Sequence, residues 1–248
     1  MKTDREAPIG VFDSGVGGLT VAREIMRNLP SEKIVYFGDT ARVPYGSKSK
    51  ETVIRYSRQI IRFLQEQQVK AIVIACNTAS AFALDAVRDE FDLPIIGVIE
   101  PGAKVAAAQT RNKRVGVIGT VGTIGTGIHA EYLKSLDPEI TVYGKACPLF
   151  VPLVEEGWLH DPVTDEVVAR YLKELQEKDI DTLILGCTHY PLLRSTIRKI
   201  MGDQVCLVNP AYETALELGR LLKERELSGT GTVQADFPYR FYVSDLAD

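Results

Sequence analysis

The sequence predicts an α/β protein built from two similar domains, each with a parallel β-sheet covered by helices. Short apolar runs of strand length alternate with segments of helical spacing along the 248 residues. Two of these runs, starting at residues 71 and 182, end alike, in Cys-Asn-Thr and Cys-Thr-His. A second pair, residues 9–14 and 115–120, repeats in the same order at nearly the same spacing. The repetition favours two related halves.

The elements follow from apolar runs, helical periodicity and breaking residues. Strands are predicted at 9–12, 33–37, 71–76, 94–99, 115–120, 140–145, 182–187, 205–208 and 239–243. Helices are predicted at 19–29, 50–68, 79–90, 164–177 and 212–225, with further helices opening at Pro101-Gly102 and after Pro191. On the 50–68 helix, Val53, Ile54, Ile60, Ile61 and Leu64 are expected to be buried. Residues 148–158 are expected to form an irregular connection that carries Glu155 and Glu156.

The positions of the repeats favour one domain inserted into the other. We expect a first α/β domain of residues 1–97 plus 208–248 and a second of residues 98–207. The sequence shows no Ser/Pro-rich linker between the halves.

Composition excludes several classes of function. The chain is 45% hydrophobic and 25% charged, with a net charge of −4, so neither a nucleic acid nor a membrane surface is an expected partner. The polar start, residues 1–6, lacks the apolar region of a signal peptide, and no apolar run reaches membrane-span length. The four cysteines have no CxxC spacing, which favours free thiols in a reducing cytoplasm.

Polar and small residues collect where the predicted strands end. Ligands of parallel sheets bind beyond the carboxyl ends of the strands. The residues there suit a small ligand with carboxylates, and the absence of a Lys/Arg cluster disfavours a polyphosphate. The glycine loop at 15–18 is not GxGxxG, and no P-loop is present. The candidates at strand ends are Asp13, Ser14, Tyr45, Gly46, Cys76, Asn77, Thr78, Thr120, Cys187, Thr188 and His189.

Cys76 and Cys187 are the candidates for acid–base chemistry. A free cysteine is often only a small core residue, but these two occupy corresponding strand ends among polar neighbours. A thiol, with a reference pKa of about 8.5, can be tuned to act as base or acid near neutrality. Cys147 and Cys206 lack that setting and are expected in the core.

Other ionisable residues are candidates for supporting roles. Asp13 and His189 are candidate proton partners of the two cysteines, and the alternative is that each is only a polar residue with its hydrogen bonds satisfied. Glu155 is either a solvated loop charge or a third ionisable group at the mouth of the site. His129 and His160 are expected to be structural. No metal site is expected, because the cysteines and histidines lack paired ligand spacing.

Four motifs together resemble the glutamate racemase family of the aspartate/glutamate racemase superfamily. They are Asp-Ser-Gly-Val-Gly-Gly at 13–18, Pro-Tyr-Gly at 44–46, Cys-Asn-Thr at 76–78 and Gly-Cys-Thr-His at 186–189. The resemblance implies two α/β domains with the active site in the cleft between them, usually in a homodimer. It also implies a cofactor-independent isomerase that interconverts L- and D-glutamate and supplies D-glutamate for peptidoglycan, and so for cell-wall biogenesis and cell shape.

The resemblance also assigns roles to residues. Cys76 and Cys187 are the implied catalytic acid/bases, with Cys76 acting on D-glutamate, and Asp13 and His189 assist them. The implied substrate-binding residues are Asp13, Ser14, Tyr45, Gly46, Asn77, Thr78, Thr120, Thr188 and His189.

Three alternatives stay open on the sequence. An aspartate or other amino-acid racemase would share the two cysteines. A thiol redox protein would form a reversible disulfide between Cys76 and Cys187. A noncatalytic amino-acid-binding protein would bind glutamate without exchanging its α-proton.

Overall fold

The computed structural model describes residues 4–231 and 238–246. It divides into two compact units, Met1–Val98 with Ala211–Asp248 and Ile99–Pro210. Each unit contains one all-parallel sheet with helices packed on it, which confirms the predicted fold class of two parallel-sheet α/β domains. The expectation that 98–207 is a domain inserted between 1–97 and 208–248 stays a prediction.

The helices and strands alternate along both units. The strands are β1 (Ile9–Asp13), β2 (Ile34–Gly38), β3 (Ala71–Ile74), β4 (Ile95–Gly97), β5 (Arg114–Gly119), β6 (Thr141–Ala146), β7 (Thr182–Gly186), β8 (Cys206–Val208) and β9 (Tyr239–Val243). The helices are α1 (Leu19–Asn28), α2 (Lys50–Glu66), α3 (Asn77–Arg88), α4 (Ile99–Gln109), α5 (Val121–Gly125), α6 (Ile128–Leu136), α7 (Phe150–Glu155), α8 (Pro162–Gln176), α9 (Arg194–Met201) and α10 (Pro210–Glu224).

The second sheet repeats the order of the first four strands of the first sheet, which has β9 as an additional edge strand. The first runs β4-β3-β1-β2-β9 and the second β6-β5-β7-β8, so β1 and β5 are each flanked by the next two strands of their own unit. The chain changes direction across the sheet between β1 and β3, and again between β5 and β7. Such switch points are where open α/β sheets bind ligands.

Burial of the strands in the core explains why their sequences are continuous apolar runs. β1, β3 and β7 are buried along their whole length, as expected for parallel strands covered on both faces. α2 is amphipathic and buries Val53, Ile60, Ile61 and Leu64, whereas the predicted Ile54 is only partly buried. Within the described residues, every helix is too short or too polar to span a lipid bilayer.

One predicted connection is wrong. Residues 148–158 were expected to be irregular, but they contain α7. Pro152 is compatible with this helix because it lies in the first turn, where a backbone N–H has no helical acceptor. The buried Phe150 ring packs edge-on against Tyr190 at 5.1 Å and so anchors the helix to the core. Gly157 follows the helix with φ +75°, a conformation that favours glycine.

Candidate active site

The two cysteines occupy equivalent positions in the two sheets. Cys76 lies two residues beyond the β3 residue that pairs with Phe12 of β1. Cys187 lies two residues beyond the β7 residue that pairs with Ile118 of β5. Each thiol therefore follows the strand on one side of a switch point, at the same height above its sheet.

Cys76 caps the N-terminus of α3. The Ala79 N–H donates to its Sγ at 3.4 Å, and the thiol lies 3.7 Å from the Ser14 hydroxyl oxygen. The residue is buried, with 5% of its surface exposed. A helix N-terminus presents unpaired N–H groups and a partial positive charge, both of which favour a thiolate.

Asp13 ends β1 as a fully buried carboxylate. Its Oδ2 accepts a hydrogen bond from the Gly15 N–H at 3.1 Å. The turn that follows needs glycine, because a Cβ at Gly18 would lie only 2.5 Å from the Cβ of Asp13. Gly18 therefore leaves the space that the Asp13 side chain occupies.

The pKa of the Cys76 thiol is raised by burial and by a neighbouring charge, and it is lowered by hydrogen bonds. Burial, followed by the negative charge of Asp13, raises the pKa of the Cys76 thiol to about 11. The N–H of Ala79 and the hydroxyl and N–H of Ser14 act in the opposite direction by stabilising the thiolate. Cys76 is therefore a thiol at neutral pH in the substrate-free protein, and a strong base once it is deprotonated.

Tyr45 directs its hydroxyl into the protein. The residue is buried, and its hydroxyl donates a hydrogen bond to the carboxylate of Asp39, which Arg42 also contacts at 2.7 Å. Burial and this hydrogen bond raise the pKa of Tyr45 well above its ordinary value. The hydroxyl of Tyr45 is thus committed to Asp39, so the candidate donors of this loop are the backbone N–H groups of the 3-10 turn Tyr45–Ser47, including Gly46.

The first turn of α3 carries two further candidates. Asn77 and Thr78 are both buried, beside the capping thiol of Cys76. Among the described residues, the side-chain oxygen of Asn77 has no hydrogen-bond partner. A buried polar atom without a partner is costly, which makes this oxygen a candidate acceptor for a ligand donor.

In the second unit, Cys187, His189 and Glu155 form a series of contacts between ionisable groups. The Cys187 Sγ lies 3.7 Å from the Nδ1 of His189, whose Nε2 lies 3.1 Å from an Oε1 of Glu155. Thr188 Oγ1 lies 3.4 Å from the same Nδ1. Cys187 and His189 are buried, whereas the Glu155 side chain is 41% exposed. This chain of contacts links the thiol to a carboxylate at the surface.

Thr120 follows β5, as Ser14 follows the end of β1. It caps α5 by accepting a hydrogen bond from the Thr123 N–H at 3.2 Å. It therefore stands on the other side of the switch point from Cys187.

The remaining cysteines and histidines lie outside these clusters. Cys147 is fully buried, as predicted. The expectation of a core Cys206 is wrong, since this residue is partly exposed and its thiol donates to Gln109 at 2.6 Å. His129 is buried on α6, and burial lowers its pKa to about 4. His160 lies in an exposed turn.

The structure thus assembles two clusters from the predicted residues. In the first unit the Cys76 thiol contacts Ser14 and its pKa responds to the charge of Asp13, while Asn77 and Thr78 follow Cys76 in the first turn of α3. Cys187, Thr188 and His189 meet in the second, where they are joined by Glu155.

Asp39, which accepts the hydrogen bond from Tyr45, was not among the residues predicted from the sequence. It directly follows β2, as Ser14 follows β1, and it is fully buried. A charged residue at that strand end was the available signal.

Comparison with known proteins agrees with this arrangement. The family model described as Asp/Glu/Hydantoin racemase matches residues 9–215. A glutamate racemase from Geobacter metallireducens is 52% identical over 238 residues, which cover 96% of this chain and 87% of that protein.

Solved structures show the same likeness. A glutamate racemase isoform from Bacillus anthracis has a TM-score of 0.91 at 43% identity, with 98% of this chain and 90% of that chain covered. A Francisella tularensis glutamate racemase in complex with D-glutamate gives the same four values. The chain therefore belongs to the Asp/Glu/hydantoin racemase family and, within it, groups with the glutamate racemases.

Proposed function

We propose that this protein interconverts L- and D-glutamate without a cofactor, using Cys76 and Cys187 as the two acid–base groups. The observation that carries the proposal is the equivalent placement of the two thiols, each beyond its strand at a switch point. Each has an ionisable neighbour, Asp13 for Cys76 and His189 for Cys187. The D-glutamate bound to the Francisella tularensis relative supports the choice of substrate.

The reaction explains the need for two thiols. The α-hydrogen of an amino acid is very weakly acidic, so its removal needs a strong base and donors that stabilise the carbanionic transition state. In a two-base mechanism one thiolate removes the proton from one face of the α-carbon. The other thiol then donates a proton to the opposite face, which inverts the centre. The two sulfurs exchange protonation states in each turnover.

The neighbours adjust the two sulfurs to these roles. The Asp13 charge makes the Cys76 thiolate more basic, while the donors from Ser14 and Ala79 keep that thiolate accessible. In the other cluster His189 is placed to share a proton with Cys187, and Glu155 holds the outer nitrogen of the imidazole.

The polar residues around the thiols are assigned to the substrate. The side-chain oxygen of Asn77, which has no hydrogen-bond partner in the part of the chain that the structure describes, suits the substrate ammonium group. Hydroxyls and backbone N–H groups suit its carboxylates, because both donate hydrogen bonds. The residues proposed to contribute them are Ser14, Tyr45, Gly46, Thr78, Thr120 and Thr188.

The proposal extends to the role in the cell. D-glutamate made by this protein supplies peptidoglycan, and therefore cell-wall biogenesis and cell shape, and the enzyme acts in the cytoplasm as a homodimer. These points rest on the family resemblance of the motifs at 13–18, 44–46, 76–78 and 186–189.

Proton NMR in D2O tests the reaction type. We expect L-glutamate incubated with the protein, and with no added cofactor, to lose its α-proton signal while its optical rotation falls to zero. A protein that only binds glutamate would leave the α-proton in place.

Two further measurements distinguish a glutamate racemase from an aspartate racemase and from a thiol redox protein. A kcat/KM for D-aspartate above that for D-glutamate would make the protein an aspartate racemase. A Cys76–Cys187 disulfide, detected by mass spectrometry under mild oxidant in a protein without racemase activity, would indicate a redox function.

Glu155→Gln tests the outer end of the second cluster. We expect kcat/KM to fall roughly fivefold, a modest effect because the Glu155 side chain is 41% exposed and its interaction with His189 is screened by water. Steady-state racemisation of both enantiomers measures the loss. Glu156→Gln, the same change one residue along and also exposed, is the control and should leave kcat/KM unaltered. Equal rates in the two variants would remove Glu155 from the proposed site.

A further inference from the structure

Tyr36 is a buried tyrosine that the mechanism above does not use. It lies on β2, beside Val11 of β1, and only 2% of its surface is exposed. Its hydroxyl donates a hydrogen bond to the Gly15 carbonyl at 2.8 Å. The ring is held from the other side by Phe241 of β9, at a centroid distance of 6.1 Å. The hydroxyl is therefore fixed on one backbone carbonyl.

That carbonyl belongs to the segment 13–15, in which the Ser14 hydroxyl lies 3.7 Å from the Cys76 sulfur. Three hydrogen bonds fix the backbone of this segment. The Asp39 N–H donates to the Asp13 carbonyl at 3.0 Å, and the Gly15 N–H donates to the Asp13 carboxylate at 3.1 Å. The third is the bond from Tyr36. Two side chains take part in these three bonds, those of Asp13 and Tyr36. Tyr36 is the one that is not a proposed proton-transfer group.

The geometry leaves this segment little freedom. A Cβ at Gly38 would lie 2.5 Å from the Gly15 carbonyl oxygen, and a Cβ at Gly18 would lie 2.9 Å from the Tyr36 hydroxyl. The carbonyl and the hydroxyl therefore meet in a space that is open only because both neighbours are glycine. A shift of the carbonyl would move Ser14, the adjacent residue, whose hydroxyl lies 3.7 Å from the Cys76 sulfur.

We propose that Tyr36 is a positioning residue whose hydroxyl holds the Gly15 carbonyl, so that the donors of the adjacent Ser14 stay in place at Cys76. The inference rests on the proposed role of Cys76. Tyr36 acts through the turn and contacts no reacting atom.

Tyr36→Phe tests the proposal because it keeps the ring and removes only the hydroxyl. Loss of the Ser14 donors destabilises the Cys76 thiolate, so the pKa of the thiol rises. Below that pKa the rate of alkylation follows the thiolate fraction. We expect iodoacetamide to alkylate Cys76 about threefold more slowly at roughly pH 9, measured by mass spectrometry of the Cys76 peptide in the substrate-free protein. We also expect kcat/KM to fall about tenfold for both enantiomers, because a small misplacement at a reacting group is costly.

Tyr190→Phe is the matched control. Tyr190 is also fully buried, and its hydroxyl donates to the Cys147 carbonyl at the same distance, 2.8 Å, in the other unit. We expect the two variants to lose similar amounts in the midpoint of urea unfolding, with alkylation of Cys76 slowed only in Tyr36→Phe. Unchanged or faster alkylation of Cys76 in Tyr36→Phe would overturn the proposal.

The alkylation measurement needs no turnover, so it also separates this inference from the proposed function. If Cys76→Ser kept full racemisation, the proposed function would fail, whereas the effect of Tyr36 on the Cys76 thiol would still be measured.

Discussion

Cys76→Ser and Cys187→Ser are each expected to lower kcat/KM for racemisation by at least about 10³-fold, because a serine hydroxyl at neutral pH replaces neither the base nor the acid. The fall must be equal for the two enantiomers. L- and D-glutamate have the same free energy in water, so the ratio of the two kcat/KM values is fixed by an equilibrium that no substitution changes. Coupled assays or circular dichroism in both directions measure this.

Serine is the appropriate replacement because it preserves the fold at Cys76. That residue caps α3 by accepting the Ala79 N–H, and serine is a favoured capping residue. Cys206→Ser is the control, since this partly exposed thiol lies outside both clusters, and it should racemise like the unchanged protein. Wild-type racemisation by either Cys76→Ser or Cys187→Ser would refute the two-cysteine mechanism.

Asp13→Asn is expected to lower kcat/KM about 10²-fold while lowering the pKa of the Cys76 thiol. The amide oxygen can still accept the Gly15 N–H, so the change removes mainly the charge. That charge raises the pKa of Cys76, which is about 11 in the unchanged protein, so its loss must shift the pKa downward. The thiolate then forms more readily, but the carboxylate proposed as the proton partner of Cys76 during turnover is lost.

The pH dependence of Cys76 alkylation measures the pKa of the thiol in Asp13→Asn, and steady-state kinetics measure kcat/KM. Asp165→Asn is the control, because Asp165 pairs with Lys199 at 3.0 Å and the two side chains are 42% and 72% exposed. Surface changes of this kind have small effects. An Asp13→Asn protein with a raised Cys76 pKa, or with unaltered kcat/KM, would contradict the assignment of Asp13.

The sheets could be predicted from the sequence because their strands are buried on both faces. Continuous apolar runs such as that of β3 then mark the strands, and the repeated cysteine endings mark the two units. Helix starts were less accurate. α3 begins at Asn77, two residues before the predicted start, because its cap is a cysteine and the usual capping signals are Ser, Thr, Asp and Asn. α7 lies in the segment 148–158, which was expected to be irregular.

The contacts around the site that the sequence did not reveal join residues that are far apart along the chain. Tyr36 reads as an ordinary core residue of a strand, and its hydrogen bond to Gly15 crosses 21 residues of sequence. The contact between Glu155 and His189 crosses 34 residues and needs α7, which was not predicted. Local patterns carry no information on such pairings, whereas residues at the strand ends share a position that parallel topology imposes.

Exchange of the α-proton in the two single-cysteine variants tests the central claim most directly. Each variant retains one thiol, which can remove a proton from one enantiomer and, after exchange with D2O, return a deuteron to the same face. Since Cys76 is assigned to D-glutamate, Cys76→Ser should exchange only L-glutamate and Cys187→Ser only D-glutamate, with no inversion in either. Exchange of both enantiomers by a single variant, or the same enantiomer exchanged by both, would contradict a mechanism in which the two sulfurs act on opposite faces of one carbon.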